Sequence, residues 1–211
     1  LLDPPAVVAA ATPIPAPRRA RERPRPPPAV RRPIELSAGA GVGISWAIGP
    51  GPAPGAETFA ELSFTSADRP AGAVVFDPAI RLGAAFALSS SDLAVGSQDY
   101  WWAGGVARVC PLHLRLPQAL RLAPCGGVQV GAHHGRTEGV PNGTASTDLW
   151  IAPAAGASLE WALSPAVAIE LAGGAVFPVI RTRFFLAPDT TIFEVPAVAA
   201  SGTIAARLRF W

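Results

Sequence analysis

Residues Ile34-Glu-Leu-Ser-Ala-Gly-Ala-Gly-Val-Gly-Ile-Ser-Trp-Ala47 decide the fold. Even positions read Ile34, Leu36, Ala38, Ala40, Val42, Ile44 and Trp46, against Glu35, Ser37, Gly39, Gly41, Gly43 and Ser45 at odd ones. Successive side chains of a strand point to opposite faces, whereas a helix would scatter this alternation, so the stretch reads as a strand. Gly39, Gly41 and Gly43 look superficially like a phosphate loop. They fall on one strand face and lack the spacing of a dinucleotide fingerprint.

The same period recurs seven more times. Thr58–Thr65 sets Ala60, Leu62 and Phe64 against Phe59, Glu61 and Ser63, and 79–88 sets Ile80, Leu82, Phe86 and Leu88 against Arg81, Gly83 and Ala85. The stretch 99–110 alternates Trp101, Ala103, Ala107 and Val109 with Tyr100, Trp102, Arg108 and Cys110. In 120–133, Leu120, Leu122, Val128 and Val130 oppose Arg121, Cys125, Gln129 and His133. Further alternations run over 148–163 (Leu149, Ile151, Leu159, Trp161 against Ser158, Glu160), 167–179 (Val167, Ile169, Leu171 against Glu170) and 198–211 (Ile204, Leu208, Phe210 against Thr203, Arg207, Arg209). Strands of this length can cross a bilayer at a tilt, which takes about 9–11 residues.

Composition narrows the class. Half of the 211 residues are apolar and 15% are charged, where a soluble domain carries about 25%. No run approaches the ~18 apolar residues of a membrane helix; 24 prolines and 21 glycines interrupt the chain. A helical membrane protein is excluded and an ordinary soluble enzyme disfavoured, leaving an all-β, eight-stranded antiparallel barrel. All 17 basic residues are Arg, and there is no Met, which predicts that the start of the chain lies upstream or was cleaved.

Residues 1–33 differ in kind. They hold ten prolines and seven arginines (Arg18, Arg19, Arg21, Arg23, Arg25, Arg31, Arg32) against Asp3 and Glu22, a net charge of +5, while 34–211 carries −3. So much Pro removes ladder donors and favours an extended polyproline II spacer. A basic arm for an anionic polymer or lipid and a PxxP ligand are the other readings. The division is a Pro/Arg-rich linker at 1–33 and a barrel at 34–211.

Alternation alone leaves two barrels, one soluble with its apolar face inward and one membrane-embedded with it outward. The polar face is mostly Gly, Ser and Ala between a few charges. That suits a crowded lumen and is too poor in charge for a water-facing surface. Trp46, Trp101, Trp161 and Phe210 lie towards strand ends, where aromatic girdles sit. The apolar face is therefore read as lipid-facing. Inward charges are then Glu35, Glu61, Glu160 and Glu170 against Arg81, Arg108, Arg121, Arg207 and Arg209. In so narrow a lumen they are expected to interlock as ion pairs that plug it, since unpaired buried charge is costly.

The alternation, the strand count and the aromatic end Arg207-Leu-Arg-Phe-Trp211 resemble the small eight-stranded outer-membrane barrels of Gram-negative bacteria, the OmpA/OmpX type. The Arg-only, Ala- and Pro-rich pattern is also similar to that of myxobacterial barrels. The resemblance implies residence in the bacterial outer membrane among lipid and lipopolysaccharide, with both termini and residues 1–33 in the periplasm. It also implies a C-terminal aromatic signal for the barrel-assembly machinery, here Phe210 or Trp211, Phe210 having the lipid-facing parity. Connections then alternate: 48–55, 89–98, 135–147 and 183–195 outside, 68–72, 111–119 and Ser164-Pro165 inside. Asn142-Gly-Thr144 reads as a turn.

Cys110 and Cys125, the only cysteines, share inward parity on adjacent antiparallel strands and flank one periplasmic connection. In an oxidising compartment this predicts a disulfide. A metal site is the poorer reading, because two thiols with only distant His113 lack ligands. No metal-spaced cluster, HExxH, GxSxG or CxxC occurs, and neither a cofactor nor nucleic acid is implied. Two functions remain. One is a non-enzymatic barrel with an anchoring or surface-interaction role, its tail reaching peptidoglycan or a periplasmic protein. The other is a lipid-modifying enzyme using His133 or His134 at the outer rim, with a serine such as those at Ser89–Ser91 or an acid.

Overall fold

The computed structural model describes residues 34–64, 70–93, 96–139, 145–186 and 190–210. No helix forms among them; twelve strands do: β1 (Ile34–Ser45), β2 (Ala53–Phe64), β3 (Val74–Val75), β4 (Ala79–Asp92), β5 (Ser97–Cys110), β6 (His113–Arg115), β7 (Leu120–Glu138), β8 (Ala145–Ala162), β9 (Val167–Val176), β10 (Arg183–Leu186), β11 (Thr190–Glu194) and β12 (Ala199–Arg209). Eight of these make the wall. β1, β2, β4, β5, β7, β8, β9 and β12 pair in that order, each antiparallel to the next. Pairing of β12 with β1, from Ser37↔Arg209 to Ser45↔Ser201, closes the ring. The fold is a closed eight-stranded antiparallel barrel.

Burial follows the two parities. Along β4, Ala79, Arg81, Ala87 and Ser89 are buried while Ile80, Leu82, Phe86 and Leu88 are exposed. The large apolar side chains of this strand thus point away from the lumen, the reverse of a soluble core. Four short strands decorate the ends. β3 and β6 continue the wall below β5, through Val75↔His113 and Leu114↔Leu122. β10 and β11 form a hairpin at the opposite mouth.

Several strands outrun the sequence expectation. β2 begins at Ala53 rather than Thr58, because Pro52, Pro54 and Gly55 read as a loop. Pro54 pairs with Ile44 above the last β2–β4 pair, Gly55↔Ala87, an end position that tolerates a missing ladder donor. β4 and β5 continue to Asp92 and from Ser97, and β7 and β8 to Glu138 and from Ala145, so these external connections are shorter than read. β9 instead stops at Val176, three residues early.

Candidate functional site

The outer surface changes character across three ladder rows. Phe86, Ala103, Ala132 and Leu149 lie side by side and are apolar. The next row is Leu88, Trp101, His134 and Thr147, with the Trp101 ring stacked on His134 at 5.1 Å. Above it come Ser90, Asp99, Arg136 and Ala145. This is the order of hydrocarbon, interface and water. At the far end Phe64, Trp161 and Phe210 are exposed aromatics. From Leu149 to Trp161, at about 3.4 Å per residue and a tilt of ~40°, the belt spans roughly 30 Å.

Inside, charge is concentrated towards the end opposite the β10–β11 hairpin. Arg81 bonds Glu61 through Nε (2.8 Å) and holds Glu170 in a bidentate fork, Nη1 to Oε1 at 2.7 Å and Nη2 to Oε2. Its guanidinium lies 3.8 Å above the Phe59 ring. Arg207 donates from Nε to Ser37 (2.9 Å), from Nη1 to Glu160 (2.5 Å) and from Nη2 to Glu61. Arg209 reaches Glu160 and, at 3.2 Å, Glu35. Arg108 stands 3.6 Å from Glu170 and Arg121 stands 4.0 Å from Glu160. All nine residues read from the sequence as inward charges therefore lie in one connected layer. Sequence reasoning missed a tenth, Glu57, 4.0 Å from Arg108. Its signal was parity, since Glu57 is two residues before Phe59 on the same face. With Glu57 the layer holds as many carboxylates as guanidiniums.

The middle of the lumen is lined by small residues and is not filled. Two voids of about 60 and 80 Å³ share Val106, Arg108, Gln129, Ser201 and Thr203 in their walls. A site of about 10–15 Å³ holds a water, so these voids, with Arg108, Gln129, Ser201 and Thr203 in their walls, have room for several. Above them the mouth is closed by Tyr100, Trp102, His133 and Trp150 from the wall, Ile48 from the β1–β2 connection, and Phe184 and Val195 from the β10–β11 region, all buried. The Phe184 ring lies 5.0 Å from Tyr100 and 5.4 Å from His133.

The catalytic candidates separate. His133 is buried and its Nε2 bonds the Ile48 carbonyl at 2.8 Å, whereas His134 faces outward with Nδ1 2.8 Å from the Thr147 hydroxyl. Ser89 is buried, and Ser91 accepts a hydrogen bond from Gln98. Among the described residues, the hydrogen bonds of the two imidazoles thus go to a carbonyl and a threonine, and neither holds a serine. Cys110 and Cys125 are joined by a disulfide, at the foot of β5 just below its last pair with β7, Val109↔Gly126. Phe210 is partly exposed, and its N–H bonds the Leu36 carbonyl at 2.8 Å. Trp211, the linker at 1–33, the turn at 142–144 and Asp68 lie outside the described residues.

No protein-family model matches the chain, and no curated protein sequence does. Among solved structures, a major outer membrane protein of Thermus thermophilus is similar over 85% of this chain and 100% of that one, at 14% identity and a TM-score of 0.56. Ail, the attachment invasion locus protein of Yersinia pestis, in complex with the heparin analogue sucrose octasulfate, covers 84% of this chain and 97% of its own (14%, TM-score 0.48). Neisserial surface protein A covers 85% and 98% (11%, TM-score 0.45). With its apolar belt turned outward and its charges turned inward, the chain has the fold of the small eight-stranded outer-membrane β-barrels.

Proposed function

We propose that the protein is a non-enzymatic barrel of the bacterial outer membrane, embedded in lipid and lipopolysaccharide, with an anchoring or surface-interaction role and a lumen closed at neutral pH. The observation that carries this reading is the balanced ion layer, in which the inward guanidiniums and carboxylates are spent on one another. A conducting pore needs a wide, wet lumen, and an eight-stranded barrel is barely wide enough for its own side chains. The linker at 1–33 then runs in the periplasm towards peptidoglycan or a periplasmic protein, and Phe210 with Trp211 serves as the signal read by the assembly machinery.

The reading is tested in planar bilayers and in lipid assays at neutral pH. Conductance at the level of the bare membrane is expected, with no hydrolysis of phospholipid or lipopolysaccharide. Steady channels would refute the closed lumen. Lipid turnover that disappears in the His133→Ala/His134→Ala double variant would establish the enzyme instead. Peptidoglycan or a periplasmic extract should retain the full chain and release residues 34–211.

A further inference from the structure

Two buried indoles line the lumen, and they are provided for differently. Trp150 donates from Nε1 to Gln129 Oε1 at 3.2 Å. Trp102 is 4% exposed, and its buried Nε1 meets no hydrogen-bond partner among the described residues. A buried tryptophan N–H ordinarily finds one, and an orphan in a native interior calls for an explanation. The same holds for two further buried atoms, Glu57 Oε1 and Arg108 Nη1. All three side chains stand in the wall of the larger void, the one of about 80 Å³.

Strand register accounts for the orphaned pair. Glu61, Arg81 and Arg108 are successive ladder partners and so lie level in the ion layer. Glu57 lies four residues nearer the outer mouth on β2, a step of about 13 Å along the strand. Arg108 comes within 4.0 Å of it, beyond hydrogen-bond range, whereas Arg81 meets Glu170 at 2.7 Å. Arg108 in turn stands 3.6 Å from Glu170. Glu57 and Arg108 are therefore close enough to keep each other charged and too far apart to satisfy each other. They are the charged residues of this wall, which is thus neutral as a whole. Towards the mouth the wall is apolar, with Ile48, Ala53 and Ala87 buried beside Trp102. Filled with water alone, the void would hold about five or more molecules, each wanting about three hydrogen bonds. The apolar side offers them none.

We propose that this void is a binding site for a small neutral solute that both donates and accepts hydrogen bonds, of the primary amide class. The solute's N–H donates to Glu57 Oε1, its carbonyl accepts from Trp102 Nε1 and Arg108 Nη1, and its short apolar end lies against Ile48 and the alanines. One molecule then satisfies all three orphaned atoms. Ions are selected against, because an anion meets Glu57 and a cation meets Arg108. Size sets the limit. A sealed cavity of about 150 Å³ takes benzene, so one of about 80 Å³ suits three or four heavy atoms, the size of acetamide. The benzene case also shows that a buried site fills without a standing channel. This inference goes beyond the closed barrel proposed above. A neutral solute carries no current, so the conductance test of that reading and a binding test of this one fail independently.

The experiment uses three planar probes of matched size, acetamide, acetone and acetate, titrated into the full chain in detergent micelles at neutral pH. The readout is the indole N–H resonance of Trp102 in isotopically labelled protein, identified by its loss in Trp102→Phe. The expected result is a saturable shift with acetamide, half-complete in the millimolar range. Acetone, which cannot donate to Glu57, and acetate, which Glu57 repels, should bind roughly tenfold more weakly or worse. In Glu57→Gln, whose amide can donate while Arg108 stays cationic, acetate should become the preferred probe. No saturable shift with any probe, the outcome for a void that holds water alone, overturns the proposal. So does acetone binding as tightly as acetamide. An equal, unsaturating drift of every indole resonance is a solvent effect and overturns it too. Should Glu57→Gln fail to fold, as judged by heat-modifiable mobility, the ranking of the three probes on the unsubstituted protein decides alone.

Discussion

Arg81 shows what a narrow lumen asks of a charge. Its planar fork meets Glu170 at two points, Nε meets Glu61, and the ring of Phe59 lies under its face. Lysine has neither the fork nor the planar face. Arg81→Met leaves Glu170 and Glu61 in a buried layer with less positive charge, at a cost of about 3–5 kcal/mol. The lower end is expected, since Arg108 and Arg207 remain nearby. Adding Glu170→Gln should recover part of the loss. Urea midpoints in micelles decide it, and equal midpoints for the single and double variants would show that the pair is not coupled. Parity put both residues inside, but it could not match acid to base. Arg81 and Glu170 lie 89 residues apart, and only the offset at which the ring closes brings them level. Glu57 escaped for a different reason, because the prolines before it resemble a turn.

β7 shows where element boundaries stop being legible. Its apolar alternation fades near His133, yet pairing with β5 runs on to Ser97↔Glu138. Above the interface the outward residues meet water, so Arg136 and Glu138 replace leucine and valine while the ladder continues. The inward residue there is Gly135, and a Cβ on it would stand 2.2 Å from the Phe184 ring. The strand is shaped to admit the hairpin's aromatic ring, a demand that period two does not encode. At its other end β7 is tied to β5 by the disulfide, which was legible because both cysteines share a parity and flank one connection. A Cys110→Ser/Cys125→Ser variant should lose about 3 kcal/mol in the chain-entropy account, its loop being about 15 residues. The urea midpoint measures that loss. Unreduced wild-type protein should show the mass deficit of a disulfide, and full reaction with a thiol reagent under denaturing, non-reducing conditions would contradict it.

For the whole molecule, the sequence pattern sufficed for the number of wall strands, their antiparallel order and the inside-out distribution, because each is a repeated local consequence of alternation and short connections; the short strands β3, β6, β10 and β11 lie outside that alternation. The mouth was not legible. It is built from Ile48, Phe184 and Val195 in segments without periodicity, and from Trp150, whose role depends on which loops fold over it. The inside-out distribution predicts behaviour in solution. Residues 34–211 should refold only with detergent or lipid and should migrate differently on gels before and after heating. Refolding as a soluble monomer in plain buffer would reverse the assignment of the two faces. The connections of Arg207 carry a further consequence, for assembly. It lies on the last strand, yet it bonds Ser37, Glu61 and Glu160, at sequence separations of 170, 146 and 47. Before β12 docks, the forming layer contains Glu35, Glu57, Glu61, Glu160 and Glu170 but only Arg81, Arg108 and Arg121 as cations. A barrel wall that lacks β12 therefore keeps an excess negative charge inside. Docking of β12, which also closes the ring, is the step at which the charges of the layer come into balance.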